Sequence, residues 1–255
     1  IKVVHLIGQP EKNNKKRAIA QGIQRASFEY IITTDGDCVW TKGILQALSQ
    51  SIRRNKTDLI CGPVAIDQNS PGLPWLKDFE MMDTAGMMLV TAAGIHSNQF
   101  FLGNGAFLCY KKSDFLKLDP YNLNMQWASG DDVFLVQKMY NNGRKIRYLK
   151  NPTALVYTSA NDNFHSFFHQ RLRWSKKNKQ FSNSRLLLFM IIPLVTSLAL
   201  FPGAFLLYLS KDLFYIFLMV GMMKILGDAI IYWSAKSFFN LEFSGTKIVL
   251  LSILH

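Results

Sequence analysis

Cysteine is scarce in this chain of 255 residues, which holds three: Cys38, Cys61 and Cys109. They are scattered, with no CxxC pair and no even framework. That argues against structural zinc and against a disulfide scaffold, and it fits a reducing compartment. Acidic residues are also few. Seventeen Asp and Glu face 29 Lys and Arg, a formal net charge of +12. Such a deficit suits an anionic partner: nucleic acid, phosphate or lipid headgroups. The chain has no aromatic-interleaved basic repeat and no nucleic-acid-binding motif, so no nucleic-acid partner is expected. Internal repeats and low-complexity segments are missing too. The sequence starts at Ile1 and stops inside the apolar run "KIVLLSILH". Both ends read as cut, so the chain is expected to be a fragment.

One absence is local. From Leu186 to Leu209, "LLLFMIIPLVTSLALFPGAFLLYL", there is no charged residue over 24 positions. A helix needs about 20 residues to cross the hydrocarbon core, and membrane helices tolerate prolines such as Pro193 and Pro202. A transmembrane span is expected at 186–209. A second is expected at 213–235, carrying Lys224 and Asp228 at a spacing that lets them pair on one helix face. A third begins near Ile248. The basic residues Arg171, Arg173, Lys176, Lys177, Lys179 and Arg185 precede the first span. The positive-inside rule then puts that side, with the preceding domain, in the cytoplasm.

The part before residue 185 alternates strand and helix patterns. Strands are expected in "KVVHLI", "FEYIITT", "DLICGPVAI", "KIRYL" and "ALVYT". Helices are expected in "KRAIAQGIQRA", "TKGILQALSQSIRR" and "GDDVFLVQKMYNNG", the last stopped by Asn142-Gly143. This is an α/β pattern, a mostly parallel sheet with helices on both faces. Ligands bind beyond the carboxyl ends of such strands, and Asp35-Gly36-Asp37 falls at one of those ends.

Three motifs carry chemistry. Asp35 and Asp37 can converge if the strand breaks at Gly36, and their hard oxygens suit Mg²⁺ or Mn²⁺ and, through it, diphosphate. A solvated turn is the competing interpretation. A haloacid-dehalogenase-like phosphatase with Asp35 as nucleophile and Asp37 as acid is another. In "WASGDDVFLVQKM", Asp131 and Asp132 start a helix. Their mutual repulsion raises one pKa, so that one can serve as a base; a dipole-complementing helix start with Ser129 as cap explains one of the two alone. In "FFHQRLRWSKK", Gln170, Arg173 and Trp174 share a helix face. An arginine beside an indole and an amide can hold a phosphate, and the same helix reads as basic, amphipathic and interfacial. Lys16 and Arg17 open a helix, which makes sense if an anion binds there. Asn104, between Gly103 and Gly105, suggests close backbone approach to a ligand. His165 and His169 have zinc-like spacing without a third ligand, which favours a surface role.

In this order, "TTDGDC", "SGDD" and "QRLRW" resemble the DxD, (T/G)(E/D)D and QxxRW signatures of the membrane-bound family 2 glycosyltransferases. That group includes cellulose, chitin and hyaluronan synthases and ceramide glucosyltransferase. "KKRAIAQGI" resembles their lysine-bearing segment. The resemblance runs from about Asn14 to Trp174. It implies a GT-A nucleotide-sugar-binding domain at 1–160, an interfacial region with QxxRW at 161–185 and transmembrane helices at 186–255. It further implies an inverting hexosyltransferase that moves sugar from a nucleotide-sugar donor to a hydroxyl of a glycan or lipid acceptor, for polysaccharide or glycolipid synthesis at the bilayer. Asp35 and Asp37 would engage Mg²⁺ or Mn²⁺ and the diphosphate. Lys16 and Asn104 would contact the donor, and Gln170, Arg173 and Trp174 would bind the diphosphate. Asp132 would be the general base, with Asp131 beside it. Two departures stand out. The family's first nucleotide-binding strand would lie upstream of Ile1, so this stretch by itself is expected to be inactive. Asp131 stands where many relatives have Glu. A membrane protein whose soluble domain only binds a partner or lipid is the non-enzymatic alternative.

Overall fold

The computed structural model describes residues 14–122, 130–178, 191, 195–196 and 210–254. Two compact units emerge: Ile1–Ala65 with Thr91–Ser159, and Ile66–Val90 with Ala160–His255. The strand expected in "KVVHLI", the Ser129 cap and nearly all of the span at 186–209 lie outside the described residues.

The first unit opens with α1 (Asn14–Arg25), β1 (Tyr30–Thr33), β2 (Val39–Trp40), α2 (Ile44–Asn55), β3 (Leu59–Cys61) and β4 (Val64–Ile66). After the long α3 (Pro74–His96) come β5 (Leu108–Lys111), α4 (Lys112–Leu118), α5 (Asp131–Asn141), β6 (Ile146–Tyr148) and β7 (Val156–Thr158). One sheet has the order β1-β5-β3-β6 and a smaller one the order β2-β7-β4.

The expectation of a mostly parallel sheet needs correction: the sheet is mixed. β5 pairs antiparallel with both β1 and β3, and only β3 with β6 is parallel. The cause is β5 itself, a strand the sequence pattern did not reveal. β1, β3 and β6 run the same way, as alternating units require, and β5 enters between β1 and β3 in the opposite sense. The single strand expected in "DLICGPVAI" is also two. Gly62 and Pro63 break it, and β4 joins the smaller sheet. At Gly62 a Cβ would sit 1.9 Å from the ring of Phe107. Phe107 is fully buried, so any side chain there would displace the core.

The core follows from strand alternation. Leu59 and Cys61 of β3 and Leu108 and Tyr110 of β5 join Ile23 of α1, Phe115 of α4 and Leu135, Val136 and Met139 of α5 in one cluster. Ile60 and Cys109 point to the other face and are buried as well. The sheet centre is therefore dry on both sides, and each such aliphatic side chain contributes about 1.5–3 kcal/mol.

In the second unit, α6 (Phe164–Asn178) is followed by α7 (Lys211–Phe239) and α8 (Gly245–Leu254). Among the described residues one helix is long and apolar enough to cross a membrane, Phe214–Phe239, with mean hydropathy 1.9. The Lys224–Asp228 pair expected there forms at 2.9 Å. Lys224 Nζ also donates to the Ser252 carbonyl at 2.8 Å, which ties α7 to α8. Burying the ammonium there is tolerable because it has two oxygen partners.

Candidate active site

β1 ends at Thr33, and the next residues fold into a turn in which the Cys38 N–H donates to the Asp35 carbonyl at 3.3 Å. The turn expected as the plain alternative is therefore real, and it is what presents the two carboxylates. Gly36 is not needed for its backbone angle, because its φ is not positive. A Cβ on it would meet nothing within 4 Å, so the space above the turn is open. Trp40 Nε1 donates to Thr34 Oγ1 at 3.1 Å across the turn. Thr158 Oγ1 on β7 donates to Asp37 Oδ2 at 3.4 Å.

Lys15 reaches this turn. Its Nζ is 2.7 Å from Asp35 Oδ1 and 3.1 Å from Asp131 Oδ2. Lys16, the residue singled out in the sequence, is buried, with its Nζ 4.6 Å from the Phe134 ring centroid and 6.0 Å from that of Tyr121. The signal was present. Lys16, Ile19 and Ile23 share the inward stripe of α1, whereas Lys15 is turned about 100° from it.

Asp131 and Asp132 begin α5 behind Gly130, which takes a left-handed φ of 91° as N-cap with no side-chain cap. Asp131 is buried and Asp132 only partly so. Loss of water pushes the Asp131 carboxyl up, the Asp132 charge adds to this, and the Lys15 ammonium opposes both. For Lys15 partial burial works against the charge, but Asp131 and Asp35 outweigh it and raise its pKa. Asp132 Oδ1 accepts the Val133 N–H at 2.8 Å and Oδ2 the Gly105 N–H at 3.3 Å. The backbone of the Gly103-Asn104-Gly105 loop thus approaches the acidic pair. Asn104 Oδ1 accepts the Ala106 N–H at 3.0 Å.

Asp35 and Asp37 flank one residue, and among the described residues no group of three or more His, Cys, Asp or Glu could hold a metal ion. Two hard carboxylates fit Mg²⁺ or Mn²⁺ shared with a diphosphate and water, not a closed protein cage. His165 and His169 meet through their Nε2 atoms at 3.1 Å on the exposed side of α6, in line with a surface role.

In the second unit, α6 carries Gln170 and Trp174, partly buried, and the exposed Arg173. Gln170 Oε1 accepts from Asn161 Nδ2 at 3.1 Å, and Asn161 is held by the buried Glu80 through Nδ2 at 2.6 Å and its backbone N–H at 2.8 Å. Arg171 pairs with Asp83 at 2.5 Å, its Cζ 4.7 Å from the rings of both Phe167 and Trp174. Glu80 and Asp83 were not singled out in the sequence, and Arg171 was counted only among the basic residues before the first span. Glu80 and Asp83, three residues apart on α3 ahead of a stretch without charge from Thr84 to Ile95, were the available signal. Asp83→Asn is expected to lower stability by about 2 kcal/mol, below the ~3–5 kcal/mol of a fully buried pair because Arg171 keeps some solvent. A thermal melt in detergent that matches wild type would contradict this.

The family model described as "Glycosyl transferase family group 2" matches residues 30–235. The chain belongs to this family. The matched stretch includes the Asp35 turn, the Asp131-Asp132 helix start and the QRLRW segment, and it begins after Lys15 and Lys16. The enzyme is thus a family 2 glycosyltransferase. It is similar to the "Poly-beta-1,6-N-acetyl-D-glucosamine synthase" of Staphylococcus aureus strains COL and MW2, each 22% identical over 169 residues. The alignment covers 65% of this chain and 39% of those relatives. Membership of this family speaks against a dehalogenase-type phosphatase with Asp35 as nucleophile and against a purely binding role.

Proposed function

We propose that this glycosyltransferase performs an inverting transfer from a nucleotide-sugar donor to a hydroxyl of a growing glycan, at the cytoplasmic face of a membrane. Family membership supports the reaction class. The observation that carries the site is the approach of Asp35 and Asp131 to one ammonium, which joins the diphosphate-type turn to the acidic helix start. The polysaccharide named for the relatives makes a nucleotide-activated N-acetylglucosamine the first donor to test.

In the proposed reaction Asp132 takes the proton of the acceptor hydroxyl. The resulting oxygen attacks the sugar C1 from the side opposite the diphosphate. The bond from C1 to the phosphate oxygen breaks, and the nucleoside diphosphate leaves with the electron pair. Asp35 and Asp37 would hold Mg²⁺ or Mn²⁺, which would supply positive charge to offset that of the leaving diphosphate. Arg173 and Gln170 add to that electrostatic stabilisation, and Trp174 shapes the acceptor entrance. Lys15, and not the buried Lys16, is the lysine of α1 that reaches the Asp35 turn. The apolar α7 supports membrane integration, and the basic residues before 186–209 support a catalytic unit on the inner side.

The test uses the full-length protein in inverted membrane vesicles, a panel of radiolabelled nucleotide sugars and Mn²⁺, with the product sized. Label should enter a glycan without permeabilisation and should stop with EDTA. Failure of every donor, or transfer only after the vesicles are opened, counts against the proposal.

A further inference from the structure

The resemblance gave Lys15 no role, yet it is the cation at the centre of the site. It lies in the first turn of α1, where a positive charge opposes the helix dipole. Something must offset that cost, and two carboxylates do. The two halves of the bridge differ. The side chains of Lys15 and Asp35 keep 48% and 37% of their exposure, whereas that of Asp131 keeps 9%. An ion pair open to solvent contributes only ~0.2–1 kcal/mol, so a divalent cation arriving at Asp35 can displace it. A buried carboxylate deserted by its partner is far more costly. Asp35 is therefore the partner Lys15 can release, and Asp131 the one it keeps. Gly105 backs the cluster closely. A Cβ there would lie 3.3 Å from Lys15 Nζ and 3.5 Å from Asp131 Oδ2. The N–H of the same residue donates to Asp132, so a shift of the Lys15–Asp131 pair is felt beside the base.

We propose that Lys15 is a resident counter-cation of this site. In the donor-free enzyme it occupies Asp35 in place of the divalent ion. When metal and donor diphosphate arrive it leaves Asp35 and stays on Asp131. It is a positioning residue that couples occupancy of the Asp35 turn to the acidic helix start. The inference rests on the proposed role of Asp35 and Asp37 in glycosyl transfer.

Mn²⁺ binding to the full-length protein in nanodiscs, read by electron paramagnetic resonance without donor, tests it. Lys15→Met removes the charge and keeps most of the stem. Its Mn²⁺ affinity should rise about five- to tenfold, the weight of an exposed ion pair plus relief of cation repulsion. Lys15→Arg keeps the charge and should bind as wild type does. Adding Asp37→Asn to Lys15→Met should cancel the gain. Lys15→Gln serves in the same assay if Lys15→Met does not fold. Equal affinity in wild type, Lys15→Met and Lys15→Arg overturns the inference, as does a rise in Lys15→Arg matching that in Lys15→Met. If wild type still transfers sugar in either case, the functional proposal stands. No Mn²⁺ binding to any protein, with or without nucleoside diphosphate, together with no transfer, removes both.

Discussion

Asp132→Asn is expected to lower the transfer rate by about 10²–10⁴-fold, the usual weight of a positioned general base, while donor binding persists. Both Asp132 oxygens accept backbone N–H groups, from Val133 at 2.8 Å and Gly105 at 3.3 Å. A carboxylate has about four acceptor sites, and these two hydrogen bonds use two of them. Asn can keep the Val133 bond, but its NH₂ then faces the Gly105 N–H. That local conflict costs about 1 kcal/mol of stability. The rate loss corresponds to roughly 3–5 kcal/mol of barrier, so unfolding cannot account for it. Asp131→Asn is the informative partner. Asp131 is the buried carboxyl with the raised pKa, which by itself would also suit an acid–base group. Its ion pair with Lys15 and its burial favour a positioning role. Single-turnover rates and donor affinity for the two variants decide: a larger loss of rate from Asp131→Asn than from Asp132→Asn would move the base to Asp131.

Local pattern revealed most of the helices and strands of the first unit. β1, α5, β6 and β7 fall within the stretches expected for them, while α1 starts two residues before its stretch and α2 ends one residue after its own; each is amphipathic or rich in β-formers over its own length. What escaped is what depends on distant chain. β5 is four residues long and takes its identity from pairing with β1 on one side and β3 on the other. Without it the alternation of strands and helices reads as parallel. α3 hid because its apolar residues run round the helix without a clear stripe. Residue type and spacing singled out the Asp35 turn and the Asp131-Asp132 helix start, and Lys15 contacts both. That Lys15 rather than Lys16 reaches Asp35 was not read from the sequence, because it turns on one step of helix rotation. The inward phase of Ile19 and Ile23 settles it: Lys16 goes in with them and Lys15 remains out to meet Asp35. The arrangement around Arg171 was missed for a related reason. Its partners Asp83, Phe167 and Trp174 divide between two helices far apart in sequence, and α3 was not anticipated.

Asp37→Asn should cost transfer about 10²–10³-fold, comparable to removing one preorganised charge contact from a transition state, with stability unchanged within about 0.5 kcal/mol. The two carboxylates of the turn are not equivalent. Asp35 already faces the Lys15 ammonium at 2.7 Å. Asp37 is exposed, and among the described residues it makes no ion pair; its neighbours are the Thr158 hydroxyl at 3.4 Å and the Cys38 thiol at 3.9 Å, both long contacts. Its charge is therefore the less compensated of the two and the more available to a divalent ion. Removing it should raise the Mn²⁺ concentration needed for half-maximal transfer and leave the Lys15–Asp35 pair in place. Asp35→Asn acts on two things together, since it deletes an oxygen ligand and frees Lys15 from its competing partner. The loss of metal affinity from Asp35→Asn should thus be smaller than that from Asp37→Asn. Transfer titrated with Mn²⁺ across the two variants separates them, and wild-type transfer by Asp37→Asn at low Mn²⁺ would remove Asp37 from the clamp.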